Sequence, residues 1–228
     1  MTERHYVIPT QPGMGRGLVN HDERSKNFRA VNLIPPDVPT TFRTKAWRRG
    51  RAYNQHQTPH CVAYTGKGIL NTVPRSRLAA YLIRSRYNTT QFYTGAQNHD
   101  EWEGQAYDGT SGLGLCRYLA SIGLIDQYLW CFGLSDVLRT LSWLGPIGLG
   151  IMWPERFFRP DSNGYLELGG GDAGGHEIEI TGIDPHDMWV EITNSWGTNW
   201  GNKGRARIRW PVLEDRLEAH GDAFIVTT

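Results

Sequence analysis

The hydrophobic pattern of this 228-residue chain changes period near its middle. From Cys61 the apolar positions Val62, Ile69, Leu70 and Val73 recur near helical spacing, and Pro74, which cannot continue a helix, closes the run. Gly66 and Gly68 inside it cost roughly 1 kcal/mol each in helix propensity, so a helix that keeps them packs closely against something. Leu78, Ala79, Tyr81, Leu82 and Ile83 predict a second helix over 77–87. A third is expected after Thr110-Ser111, either of which can serve as its N-cap, through Leu115, Cys116, Leu119, Ala120 and Ile122. Short helical turns are expected over 133–142. After Gly145-Pro146 the period becomes two. The apolar run 147–153 (IGLGIMW) reads as a strand, residues 176–180, 190–194 and 205–210 alternate, and 223–226 can close a sheet. The plan is α+β: a helical lobe over 46–144, then an antiparallel β lobe over 145–228.

Residues 1–45 differ from both halves. Five prolines (Pro9, Pro12, Pro35, Pro36 and Pro39) and glycines at 13, 15 and 17 predict an extended arm with little regular structure. The run that follows, Arg43, Lys45, Arg48, Arg49 and Arg51 around Trp47, is able to bind an acidic surface but reads better as a solvated basic loop.

Composition removes several function classes. A formal net charge of +1 with 21% charged residues leaves no electrostatic footprint for nucleic acid. No window approaches the roughly 18 apolar residues of a membrane span, and Met1 to Thr10 has no apolar core of a secretory signal. Three cysteines do not make a disulfide framework, so a reducing compartment, the cytoplasm or the interior of a viral particle, is expected.

One of those cysteines stands where chemistry is possible. Cys61 begins a helix, whose unpaired N–H groups and positive dipole end favour thiolate over thiol. Read alone, it is more often a buried packing residue, as Cys116 and Cys131 are expected to be. His176 changes the balance: it opens an alternating strand behind the glycine-rich run 170–175, with Ile178 and Ile180 on its side. Asn194, 18 residues on, ends the next strand on the face of Val190 and Ile192, where its carbonyl can accept from one imidazole nitrogen and so fix which nitrogen faces the thiol. Trp196 and Trp200 follow at once and are placed to keep water off that bond.

The run Asn194-Ser195-Trp196-Gly197-Thr198-Asn199-Trp200-Gly201-Asn202-Lys203-Gly204 resembles a signature of the papain family of cysteine peptidases. The segment from Gly175 to Gly182 resembles that family's strand bearing the catalytic histidine. Asp108-Gly109-Thr110-Ser111 and Gly145-Pro146-Ile147 resemble two further family blocks. The likeness spans about residues 50–228 and keeps the order Cys, His, Asn. It implies a papain-like two-lobe fold with a β-barrel-like C-terminal lobe and the active site between the lobes. It also implies a peptidase acting on polypeptides without metal or cofactor, with Cys61 as nucleophile, His176 as base and Asn194 as its orienting partner. Gln55, six residues before Cys61, matches the family's oxyanion-hole glutamine, to act with the Cys61 backbone N–H. Glu177 stands where the family has a small residue beside the cleft, which raises a preference for a basic substrate side chain. Strand alternation points Glu177 away from His176, so a plain surface glutamate is an equal reading.

Departures from the family are specific. Thr58-Pro59-His60-Cys61-Val62 replaces the usual sequence around the nucleophile, and His60 is expected to point away from the thiol. Cys61 and His176 are 115 residues apart, closer than usual, with a shortened connection over 127–138. The chain resembles a compact bacterial or viral member without a full pro-domain. Residues 1–45 resemble none of the family's inhibitory helices, so the arm is expected to dock a protein partner from the back of the lobes rather than to cover the cleft. An acyl transferase on the same triad and an inactive docking module remain as alternative functions.

Overall fold

Seven strands form one antiparallel sheet: β1 (Lys45–Ala46), β2 (Gln127–Cys131), β3 (Ile147–Pro154), β4 (Asp172–Asp184), β5 (Trp189–Thr193), β6 (Arg205–Arg209) and β7 (Asp222–Thr227). Their order is β2-β7-β3-β4-β5-β6, and β1 pairs with the far part of β4. The structure, a computed structural model, describes residues 13–17, 27–48, 50, 52–72, 88–104 and 106–228. The helix expected over 77–87, Pro74, and Arg49 and Arg51 of the basic run lie outside those residues.

Alternation along the strands sends side chains to two cores, because both faces of the sheet are covered. On β7, Phe224 and Val226 join one cluster and Ala223 and Ile225 the other. The first cluster lies under α1 (Cys61–Asn71), α2 (Thr89–Gln97) and α3 (Gly112–Ser121). The second lies under α4 (Leu134–Trp143) and α5 (Trp210–Glu218), and holds Val137, Leu138 and Leu141 of α4 with Ile178, Ile180 and Ile192. The core of the β lobe therefore draws on residues well before 145.

Two expectations need correction. The sheet is open, not barrel-like: among the described residues β2 and β6 do not pair. Each instead meets a loop, with Arg29 bridging to Trp130 and Tyr165 bridging to Arg207. The basic run is also not simply a solvated loop. Arg43 donates from Nε to the Ser142 carbonyl at 2.7 Å and stacks 3.8 Å over the Trp143 ring, Trp47 Nε1 donates to the Leu141 carbonyl at 2.9 Å, and Lys45 lies within β1. Residues 27–48 are strapped across α4 and the sheet. A bidentate pair, Arg29 to Asp136 at 2.7 and 3.1 Å, fixes the other end of that strap.

The helix α2 has little apolar pattern but a clear start. Asn88 accepts from the Gln91 N–H while Gln91 accepts from the Asn88 N–H, both at 2.9 Å, a reciprocal cap. Asn88→Ala should lower unfolding free energy by about 1 kcal/mol in urea titrations, with the slope unchanged.

Candidate active site

Cys61 is the first residue of α1 and is fully buried. His60, the N-cap, makes no side-chain bond to the helix, and its ring centre lies 4.0 Å from that of Tyr93. β4 packs against α1 and carries His176, opposite Ile151 of β3. His176 Nε2 donates to Asn194 Oδ1 at 2.8 Å, and the same oxygen accepts from the Ser195 N–H at 2.7 Å. This double anchoring leaves Nδ1 as the available nitrogen, and it has no partner among the described residues. The backbone N–H of Glu177, the next residue, donates to the Cys61 sulfur. The thiol thus lies against the backbone amide that follows the histidine, at the seam between α1 and β4.

Aromatic rings wall the imidazole. Trp196 stacks on it at 4.7 Å and 26°, and Trp153 meets it edge-on at 4.8 Å. Trp200 stands behind, 5.7 Å from Trp196 at a right angle, with Nε1 donating to the Phe158 carbonyl at 3.0 Å. Trp200 braces the ring that shields the histidine and does not touch the histidine itself. Gln55 is buried as well. Its Oε1 accepts from Ser195 Oγ at 2.5 Å, and its Nε2 donates to the carbonyls of Thr58 at 2.7 Å and Gly13 at 3.1 Å.

That last carbonyl belongs to the N-terminal arm, and residues 13–17 lie in the cleft. Gly15 and Arg16 donate their N–H groups to the Gly175 carbonyl at 3.1 Å, Gly17 donates to the Thr110 carbonyl at 2.8 Å, and Gly15 accepts from the Thr110 N–H at 2.9 Å. The segment runs between the start of α3 and the start of β4, parallel to the former. Glycine at 175 is required here, because a Cβ would collide with the Arg16 carbonyl. The expected docking on the back of the lobes is not where these residues are.

Burial sets the electrostatics. Burial pushes the Cys61 thiol up to about 12, against the opposing pull of the Glu177 amide. Burial also pushes His176 down to about 4, with the Asn194 bond opposing it. Both groups are therefore neutral near pH 7 in the covered state. Cys131 is raised to about 12 by the same cause and Cys116 is raised well above the ordinary range. Rapid, selective reaction of Cys61 is thus a property of an uncovered site, not of this one.

The histidine has a sign-definite consequence. Its folded value lies below its ordinary 6.5, so the folded, covered state binds fewer protons than the unfolded chain between those values. The stability it confers is present above about pH 6.5 and is lost as pH falls toward 4, by about 3 kcal/mol in all. A His176→Gln variant should lack this part of the acid loss of thermal stability. Parallel pH profiles for the two proteins would contradict it.

The structure joins His176, Asn194, Ser195, Gln55 and Trp196 in one bonded and stacked group and sets Cys61 against the backbone of Glu177, the residue after His176. It corrects one reading: Glu177 is fully buried, not a surface glutamate. Arg16, Asp222, Trp153 and Ser195 also belong to the site and were not singled out as site residues by sequence. Only Arg16, a lone cation inside Gly15-Arg16-Gly17, carried a local signal of close backbone approach.

No protein-family profile matches the chain. It is 31% identical over 94 residues to "Cathepsin B-like cysteine proteinase 6" of Caenorhabditis elegans, covering 39% of this chain and 25% of that protein. It is 28% identical over 157 residues to a "Cysteine protease" of Blomia tropicalis, covering 67% and 43%. These matches span less than half the length of either relative. Among solved structures, xylellain, a cysteine protease from Xylella fastidiosa, superposes with a TM-score of 0.64 at 16% identity, over 96% of this chain and 97% of that one. The fold is papain-like. In this papain-like fold Cys61 starts α1, His176 lies in β4 and Asn194 follows β5. Among the described residues, no helix is long and apolar enough to cross a membrane.

Proposed function

We propose that the chain is a cysteine peptidase in which Cys61 attacks a peptide carbonyl, His176 carries the proton and Asn194 orients His176. The reading is carried by the 2.8 Å bond from His176 Nε2 to Asn194 Oδ1, which leaves Nδ1 for the thiol. The sequence relation to cysteine proteinases supports the same chemistry. Once the site opens, water and charge transfer within the pair favour thiolate and imidazolium. The thiolate adds to the carbonyl carbon. The developing oxyanion accepts from the Cys61 N–H and from Gln55 Nε2, the donor that Gly13 engages in the covered state. His176 then protonates the leaving amine, the C–N bond breaks, and a thioester remains on Cys61. Water, deprotonated by His176, releases the acid and restores the thiol.

The position of residues 13–17 supports a covering role for the arm, since a peptide in the cleft must displace the backbone bonds to Gly175 and Thr110. Hydrolysis of a diverse peptide library by the chain lacking residues 1–17 tests the reading. Cleavage that Cys61→Ala abolishes supports it, and no cleavage, or cleavage that survives Cys61→Ala, sinks it. Adding glycinamide separates the alternatives: a transferase gives amide-extended products, and an inactive module gives none.

A further inference from the structure

A cluster of buried charged side chains stands beside His176. The sheet register puts Gly150 of β3 directly opposite Glu177 of β4 and Asp222 of β7. Directly opposed residues share a face, so two carboxylates flank a glycine across three adjacent strands. Their backbones are two strand spacings apart, roughly 10 Å, and both carboxylates lean in over Gly150. Both carboxylates are buried. A Cβ on Gly150 would enter the slot and meet Glu177 Oε2 and Asp222 Oδ1 at 2.6 Å, as well as the guanidinium that fills it.

That guanidinium is Arg16. Its side chain is fully buried, with Nη2 paired to Asp222 and donating to the His220 carbonyl at 3.1 Å, and with Nε 4.0 Å from Glu177 Oε2. Neither carboxylate has a hydrogen-bond partner elsewhere among the described residues. Two buried acids without other partners are costly unless a cation sits between them. Burial raises Glu177 to about 8 despite Arg16, the direction expected of an acid held in a dry slot. Glu177 also donates its backbone N–H to Cys61, so the slot opens within one residue of the triad.

We propose that Glu177, Asp222 and Gly150 form a specificity pocket for a guanidinium or ammonium side chain of the substrate, which Arg16 fills as an internal ligand while the arm covers the cleft. The proposal rests on the peptidase reading for its substrate but not for its cation chemistry. Arg16 holds the arm down through the same two acidic side chains that later recognise the substrate, so a basic peptide competes with the arm for one slot. The other described residues of the segment, 13–15 and 17, add backbone bonds and the buried side chain of Met14 to this contest.

Two readouts on the full-length chain keep the two ideas apart. In Arg16→Ala, N-acetyl-arginine amide should raise the thermal midpoint and N-acetyl-leucine amide should not. In the wild type, where the slot is full, neither should. The double variant Glu177→Gln/Asp222→Asn on the Arg16→Ala background should lose the arginine response. With a positional peptide library, Arg16→Ala should prefer Arg or Lys over neutral residues roughly tenfold or more at one position, in line with charged hydrogen bonds in buried sites. The acidic-to-amide double variant should bring the ratio of basic to neutral cleavage at that position, read within the one variant, to about one. Arginine-specific stabilisation without any cleavage would support the pocket and count against the peptidase. Cleavage with no basic preference and no arginine-specific stabilisation would overturn the pocket and leave the peptidase standing. Arg16→Lys, which keeps a cation in the slot, controls for folding: it should melt near the wild type and ignore the arginine amide, and an arginine response in it equal to that of Arg16→Ala would overturn the assignment of Arg16 as the occupant.

Discussion

Deleting residues 1–17 raises the rate of iodoacetamide alkylation of Cys61 at pH 7.5 by about three orders of magnitude. The magnitude follows from the thiolate fraction. With the arm in place Cys61 is held near 12, chiefly by burial, and almost none of it is ionised. A thiol at an open helix start titrates at about 8.5 or below, so at least a tenth of it is ionised at that pH. Steric access adds to the gain, since Cys61 is fully buried beneath the covered cleft. Cys116 and Cys131 serve as internal references. Both are buried, with their thiols raised by that burial, and should stay slow in both proteins. Equal alkylation of Cys61 before and after deletion would show that the arm does not control the site.

In the chain lacking residues 1–17, His176→Ala lowers peptide turnover by roughly 10⁴-fold or more, because proton transfer to the leaving amine has no other carrier in the site. Asn194→Ala costs less. Its carbonyl fixes which imidazole nitrogen faces the thiol, yet Trp196 and Trp153 hold the same ring from two sides and supply part of that orientation. A loss at Asn194 equal to or larger than that at His176, in a variant that remains folded, would reverse the two roles.

The parts of this molecule that were legible in its sequence are those fixed by local period. Strands β3 to β6, the start of α1 at Cys61 and the Ser111 cap of α3 follow from alternation, helix spacing and a capping residue. Cys61 starts such an element, Asn194 follows one and His176 lies within one, so each could be picked out from its local pattern. Three elements were missed for local reasons. α2 is polar and shows itself only through its Asn88–Gln91 cap, β2 acquires its identity by pairing with β7, and α5 begins beside a proline after a strand. The openness of the sheet was hidden too, because nothing in β2 or β6 states that a loop will cover its edge. The slot was hidden for a different reason. Glu177 and Asp222 become neighbours only through the register of three strands, and Arg16 reaches them from far along the chain, so no local pattern joins them.

The central claim is that Cys61 carries the acyl group of the substrate. The chain lacking residues 1–17 can be mixed with an arginine-containing peptide ester, quenched in acid within the first turnovers and mapped by mass spectrometry. The account predicts one acyl adduct, on Cys61, that forms before product and decays as the acid is released, and that is absent in Cys61→Ala. Turnover of the ester with no adduct on Cys61, or at an unchanged rate in Cys61→Ala, would contradict it.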